Sequence, residues 1–460
     1  MSDLLVFVKS EDAETVNNEV VKKISTENQK VYVVIKNGCT DHKSIPDNWK
    51  IVNFQEIQNF YFAIYIHAVE NEFSLITKQK WSEVYTICMG KSKSHQISRS
   101  FDLKVMVSNQ FVISEKALAF LKSNTVSEIV IDMNNKTLIN QFTNMKFKKE
   151  NRPNIIKLLS MDNSINVLKI SRQNGNIRAL LQNLVSNDYT LVQNQDKENV
   201  FVQRSSLSKF LPKMVLNQNI RKYYEVFYTI EKKIKRDANA PQRLIVIFSS
   251  MPSESAYFSS NFLDRTFVKH FPTIQNLVVP NTHVLRIVDS NLMYGSHYVN
   301  SVNFPNYERR IQGLINKVSK NLLVKKENIV LYGTSKGGTG ALVHSLIGNY
   351  KSVSIDPIIN ANEYNNKMRD IHFIKNNRTQ SLVTKINELK SGGNNNIVIR
   401  SPQVHFNYQI THQLKNSRIQ FYDQKNSSIK NHKEIGRNSV SEILMFLNAQ
   451  LLGLTICMEQ

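Results

Sequence analysis

Apolar positions in the first third of the chain recur in short runs separated by stretches of helical period. Leu4 to Val8 is apolar and β-branched, Asp12 to Asn28 repeats its apolar residues at helical spacing, and Lys30 to Ile35 is strand-like again. Glu83 to Met89, Leu103 to Val107 and Glu128 to Asp132 read as further strands. This alternation predicts an α/β layer with a largely parallel sheet. The turn after the first strand, Lys9-Ser10-Glu11-Asp12, has no glycine, so the region lacks the glycine-rich fingerprint of a dinucleotide site. Residues 140–215 are polar, with Asn-rich and Lys-rich connections. Asn219 to Arg236, carrying Tyr223, Tyr224, Phe227 and Tyr228, has the spacing of an amphipathic helix. Its aromatic stripe suits packing better than a sugar platform.

From Arg243 the pattern sharpens. Leu244 to Phe248 is a buried strand followed by Ser249-Ser250-Met251-Pro252, and Val284 to Val288 is another, ending at Asp289. A helix over Tyr307 to Leu323 precedes the apolar run Ile329 to Tyr332. Ser352 to Ile355 ends at Asp356-Pro357, Asn396 to Arg400 and Arg418 to Tyr422 are the last strands, and Ser439 to Leu452 is a terminal amphipathic helix. This order predicts an α/β protein: a C-terminal α/β-hydrolase-like domain with an N-terminal accessory α/β domain. The expected division is an accessory domain over 1–215, for polymer or partner binding, a helical linker over 216–240, and a catalytic domain over 241–460.

A length of 460 residues with 41% hydrophobic content is consistent with two cored domains. No stretch reaches the roughly 18 consecutive apolar residues of a membrane span. The opening residues lack a basic region and a cleavage site, so they read as a strand rather than a leader. Cys39, Cys88 and Cys457 are scattered without metal-ligand spacing, which predicts reduced thiols and no metal site. A cytoplasmic location follows, with the inner membrane surface as a peripheral site. The net charge of +22 favours an anionic partner. The clusters Lys146-Phe147-Lys148-Lys149, Lys232-Lys233-Ile234-Lys235-Arg236 and Lys325-Lys326 read individually as solvated faces. The chain carries no RNP-type aromatic strand and no zinc spacing, so nucleic acid is not the expected partner.

The chemistry concentrates in Gly333-Thr334-Ser335-Lys336-Gly337, which fits Gly-x-Ser-x-Gly between a strand and the small-residue helix start Gly338-Thr339-Gly340-Ala341. That context is a nucleophile elbow, whose tight turn needs residues without bulk on either side of the serine. A P-loop reading fails on order, since its lysine should precede the Ser/Thr and follow a longer glycine-bounded loop. Ser335 needs a base, and His432, after the last strand and ahead of the terminal helix, stands where that base belongs. His344 reads as packed, and His405 and His412 are reserves. The acid is less defined. Gln403 stands in the loop after the penultimate strand, where a carboxylate is usual. Asp356 is the best carboxylate, although it could instead cap the turn with Pro357. Glu434 is too near His432 in sequence, and a Ser–His dyad with Gln403 orienting the imidazole is the other solution. The Lys336 amide and an amide of the loop after Phe248, Ser250 or a neighbour, are the candidate oxyanion donors. The Lys336 side chain would meet an anionic acceptor or solvent. Asp289, Gly333, Gln403 and the segment Tyr294 to Tyr298 would line the substrate cleft.

The run Ile329 to Gly338, followed by Ile355-Asp356-Pro357-Ile358, resembles the capsular-polysaccharide biosynthesis proteins of the XcbB/CpsF type. More distantly it is similar to the accessory secretion-system acetyltransferase that modifies glycans on serine-rich adhesins. The resemblance covers Arg243 to Leu452. It implies a bacterial enzyme of capsule assembly that transfers an acyl group to sugar hydroxyls. Ser335 and His432 match, and Gln403 departs from the pattern. The expected activity is thus a serine-dependent O-acetyltransferase on an anionic capsular polysaccharide, beside capsule-assembly enzymes. It has no bound cofactor, and acetyl-CoA is its acyl donor. The rival readings are an esterase or polymer-trimming hydrolase on the same scaffold, and a non-catalytic assembly scaffold.

Overall fold

The computed structural model describes strands at 4–8, 31–35, 49–51, 62–66, 85–91 and 101–107, and then residues 128–133, 136–146, 152–160, 166–195, 197–214, 219–370, 372–389 and 396–454. The helix expected over 12–28, Cys39 and Cys457 lie outside the described residues. The chain divides into two compact units, residues 1–187 with 191–203 and residues 188–190 with 204–460.

The first unit is built on a ten-stranded sheet. Its strands are β1 (Leu4–Val8), β2 (Val31–Ile35), β3 (Trp49–Ile51), β4 (Phe62–Ile66), β5 (Tyr85–Lys91), β6 (Phe101–Val107), β7 (Glu128–Asp132), β8 (Ile155–Leu159), β9 (Tyr189–Gln195) and β10 (Glu198–Gln203). They run in the order β3-β2-β1-β4-β5-β6-β7-β8-β10-β9. The pairs β5–β6 and β8–β10 are antiparallel, and the pairs from β3 to β5 and from β6 to β8 are parallel. Within the polar stretch 140–215 the described residues include helices Val167–Gln173 and Gly175–Ser186 between β8 and β9. Its asparagines act as caps and bridges. Asn166 and Asn174 cap the two helices. Buried Asn199 accepts from the Val167 N–H at 2.9 Å and donates to the Leu158 carbonyl at 3.3 Å. Polarity that reads as loop is therefore spent on otherwise orphaned backbone groups.

The second unit holds an eight-stranded sheet of β11 (Arg221–Tyr223), β12 (Val226–Glu231), β13 (Arg243–Phe248), β14 (Thr282–Ile287), β15 (Ile329–Thr334), β16 (Lys351–Ile355), β17 (Asn396–Arg400) and β18 (Ile419–Asp423). The order is β11-β12-β14-β13-β15-β16-β17-β18. β12 is antiparallel to both neighbours, and every later pairing is parallel. One crossover near the start, one antiparallel second strand and a parallel remainder make this an α/β-hydrolase-type sheet. Strands β13, β15 and β17 are largely apolar on both faces because helices cover both. Helix Tyr307–Asn321 closes one face through Ile311, Leu314 and Val318. Helix Val440–Leu452 closes the other through Ile443, Phe446 and Leu447. Among the described residues no helix is long and apolar enough to cross a membrane.

The helix expected over Asn219 to Arg236 is instead the hairpin β11–β12, the first two strands of this sheet. Tyr223 pairs with Val226, so the loop is two residues, with Tyr224 at φ 50°. A two-residue hairpin loop needs such left-handed geometry, which Asn or Gly usually signals. Here an exposed tyrosine adopts it, with the Arg310 guanidinium 3.9 Å over its ring. Beyond the turn, Val226 and Tyr228 enter one core by strand alternation, which outweighs the helical spacing of the aromatics.

Candidate active site

Strand β15 ends at Thr334, and helix Lys336–Gly348 begins immediately after Ser335. Reversal in so few residues forces Ser335 to φ 55°, ψ −119°, a strained conformation for a residue with a Cβ. The turn closes because a Cβ on Gly333 would come within 2.2 Å of the Gly337 carbonyl oxygen, and one on Gly337 within 2.1 Å of that of Phe248. The Ser335 N–H donates to the Ile355 carbonyl at 2.8 Å, pinning the elbow to the end of β16.

Asp356 is the next residue after β16, buried to 1% and at φ 36°. His432 opens the short helix His432–Ile435 beyond β18, where Asn431 caps the turn through the Lys433 N–H. The three side chains meet. His432 Nε2 lies 2.7 Å from Ser335 Oγ, and His432 Nδ1 lies 2.5 Å from Asp356 Oδ2. The carboxylate fixes the tautomer: Nδ1 carries the proton, leaving Nε2 to accept the hydroxyl proton. Among the described residues no other hydrogen bond takes the N–H of Lys336 or of Ser250, the two groups expected to face an oxyanion.

One member of the cluster has no signal in the sequence. Asn407, 3% exposed on helix His405–Thr411 after β17, places Nδ2 3.0 Å from Asp356 Oδ2 and 3.1 Å from His432 Nδ1. Both nitrogens are donors converging on one carboxylate oxygen. The Tyr364 hydroxyl donates to Asn407 Oδ1 at 3.1 Å and so fixes the amide's orientation. Burial and the charge of Asp356 push the Tyr364 phenol above its usual range, which keeps it a donor.

Several expected roles are corrected. Gln403 is exposed, accepts from Ser401 Oγ at 2.7 Å and makes no bond to His432, so it neither orients the base nor joins the cluster. Asp289 is fully buried and faces no cleft. It accepts from the Ser296 and Tyr298 N–H groups at 3.1 and 3.2 Å and from the Tyr307 hydroxyl at 3.2 Å. The Lys336 side chain is equally buried, with Nζ 2.9 Å from the Tyr294 carbonyl and 3.8 Å from Asp289 Oδ2. It is out of reach of solvent or an acceptor, and only its backbone faces the site. Gly333 lies against the Gly337 backbone, which leaves no room for a side chain there. Tyr294 and Tyr298 are core residues, not cleft walls. His344 is packed as expected, bonded to Gln312 and the Tyr298 carbonyl, and His405 and His412 are exposed.

No protein-family model and no curated protein matches the chain. Among solved structures it is similar to the Glycosylation Associate Protein (Gap123) complex from Streptococcus agalactiae at 16% identity and TM-score 0.34, over 48% of this chain but only 43% of that one. A capsule O-acetyltransferase of Neisseria meningitidis serogroup A in complex with CoA matches at 16% identity and TM-score 0.36, over 50% of this chain and 94% of that one. FphF, a fluorophosphonate-binding serine hydrolase of Staphylococcus aureus, matches at 15% identity and TM-score 0.33, over 48% of this chain and 92% of that one. With TM-scores below 0.5 these likenesses add nothing to what the strand order already shows.

Proposed function

We propose that the protein is a serine acyltransferase in which Ser335 is the nucleophile, His432 the base and Asp356 the acid. The observation that carries this reading is the unbroken chain Asp356–His432–Ser335, at 2.5 and 2.7 Å, on a strained elbow. Ser335 Oγ attacks the acyl carbonyl as its proton passes to His432 Nε2. The amides of Lys336 and Ser250 take the developing oxyanion. The leaving group departs with the proton, giving an acyl-serine. An incoming hydroxyl then loses its proton to His432 and attacks the acyl carbon, and Ser335 recovers its proton. We assign acetyl-CoA as donor and sugar hydroxyls of an anionic capsular polysaccharide as acceptor. The Gly-Thr-Ser-Lys-Gly-Gly and Asp-Pro segments support the capsule setting, and the charge of +22 supports an anionic polymer. Asp356 answers the objection raised by Gln403, that a scaffold without an acid would be inert.

The test is the intact mass of the protein after brief exposure to acetyl-CoA. One acetyl group is expected on the native chain and none on Ser335→Ala. An acetyl group on both, or on neither, would sink the assignment of donor and nucleophile. A hydrolase remains the second reading, because the His432 side chain is 20% exposed and water reaches it. Decay of the acetyl-enzyme separates the two: an acyltransferase discharges faster with glycan than in buffer, and an esterase does so at the same rate.

A further inference from the structure

Two loops at the elbow end of the sheet hold left-handed backbone at residues other than glycine. The loop after β14 does so at Leu292, His297 and Tyr298, and the excursion between β16 and β17 at Arg369, Asp370, Phe373 and Asn376. Strain of this kind persists only where the surroundings impose it, and it gathers at ligand sites. The loops hold each other: the Val302 N–H donates to the Asn377 carbonyl at 2.8 Å, and Tyr294 stacks on Phe373. Both lie close to the nucleophile. Lys336, next to Ser335, bonds the Tyr294 carbonyl, and Thr339 bonds that of Ile358.

Three cations are buried here, Arg265, Lys336 and Arg378. Arg265 is spent on the carbonyls of Ser259 and Met293. Lys336 has Asp289 and the Tyr294 carbonyl. Arg378 is different. It is 5% exposed, yet Nε and Nη1 have no partner in the protein, and Nη2 reaches only the Gln380 carbonyl at 3.5 Å. The carboxylate whose charge acts on it, Asp289, is already taken by two amides, a hydroxyl and Lys336. A buried guanidinium without a hydrogen-bonded counter-charge is costly. Burial brings it down only to about 10, so it stays charged at neutral pH. Beside it His297, 7% exposed, bonds the Ile358 backbone and leaves Nδ1 without a partner. Burial, and then the charge of Arg378, keep that imidazole neutral, so Nδ1 accepts a hydroxyl.

We propose that Arg378 and His297 bind a phosphate group of a substrate, the guanidinium taking its oxyanion and His297 Nδ1 a hydroxyl on or next to it. Which substrate brings the phosphate, the acyl donor or the acceptor glycan, rests on the acyltransferase reading above. The site itself does not.

The test is thermal unfolding of the full chain at constant ionic strength, with inorganic phosphate as the probe. A 10 mM addition is expected to raise Tm by about 3 °C for a millimolar site, and to leave Arg378→Met unmoved. Equal shifts in both proteins would mean an adventitious ion only, on a surface of charge +22, and would overturn the proposal, as would no shift in the native chain. Should Arg378→Met not fold, Arg378→Lys must weaken phosphate binding at least about fivefold, since an ammonium differs from a guanidinium in shape and reach; an unchanged Kd overturns the site. Repeating the titration on Ser335→Ala keeps binding separate from acyl transfer. An Arg378-dependent gain of acetyl-CoA over acetylpantetheine, which lacks the phosphates, assigns the group to the donor. A gain of hexose 1-phosphate over inorganic phosphate assigns it to the acceptor.

Discussion

A chain carrying both Asp356→Asn and Asn407→Asp recovers roughly a hundredfold of the esterase rate that Asp356→Asn alone removes. The single change takes the anion from behind His432 and permits the wrong tautomer, so kcat on p-nitrophenyl acetate falls by about 10⁴. Position 407 can replace it because Asn407 Nδ2 already lies 3.1 Å from His432 Nδ1, as well as 3.0 Å from Asp356 Oδ2. In the double variant a carboxylate at 407 accepts from Nδ1 while an amide at 356 donates to it, which reverses the present bond. Asn407→Asp by itself sets two carboxylates at hydrogen-bond distance. They then share a proton, and the more basic of the two is held above the usual carboxylate range. The acidic limb of the pH–rate profile should therefore move upward in that variant and return in the double. A double variant no faster than Asp356→Asn would show that Asn407 only fills space. The comparison is one of rates on a common background, since members of one hydrogen-bonded cluster do not contribute additively.

How far this arrangement is legible in the sequence differs residue by residue. Ser335 and His432 stand in strong local context: a glycine-bounded serine between an apolar strand and a helix, and a histidine between the last strand and the last helix. Asp356 is legible as a carboxylate at a strand's end, but that it meets the imidazole is a fact of the register between β16, β17 and β18. Asn407 is illegible because a lone asparagine on a seven-residue helix has no periodic signature. The hairpin at Tyr224 is hidden by the absence of a glycine or asparagine at its left-handed turn. Strands β13, β15 and β17 of the second sheet are legible because residues covered on both faces read as near-continuous apolar runs. The β11–β12 hairpin at its edge lacks that signal.

Lys336 is the clearest case of a side chain placed otherwise than the sequence suggests, buried on Asp289 and the Tyr294 carbonyl, and it carries the second large effect. Lys336→Met should lower the stability of the second unit by about 3–5 kcal/mol, because it leaves the Asp289 carboxylate buried with its cation gone. For a unit of this size that is a fall in Tm on the order of 10 °C. Asp289→Asn alone should cost a comparable amount by stranding the ammonium, whose Nζ keeps only the Tyr294 carbonyl. The double variant Asp289→Asn with Lys336→Met should recover most of the loss, since a neutral amide and a thioether leave no buried charge unpaired. A lysine that instead touched an anionic acceptor would give the opposite pattern, a melting temperature within about a degree of the native value and a raised KM. The two outcomes are distinguishable in one set of melts and one kinetic titration. The buried pair also bears on the oxyanion site, because Lys336 holds the loop after β14 through the Tyr294 carbonyl while its backbone N–H stays on the elbow beside Ser335. Losing the side chain should slow acylation through displacement of that loop and its neighbours, with no change in which atom is acylated.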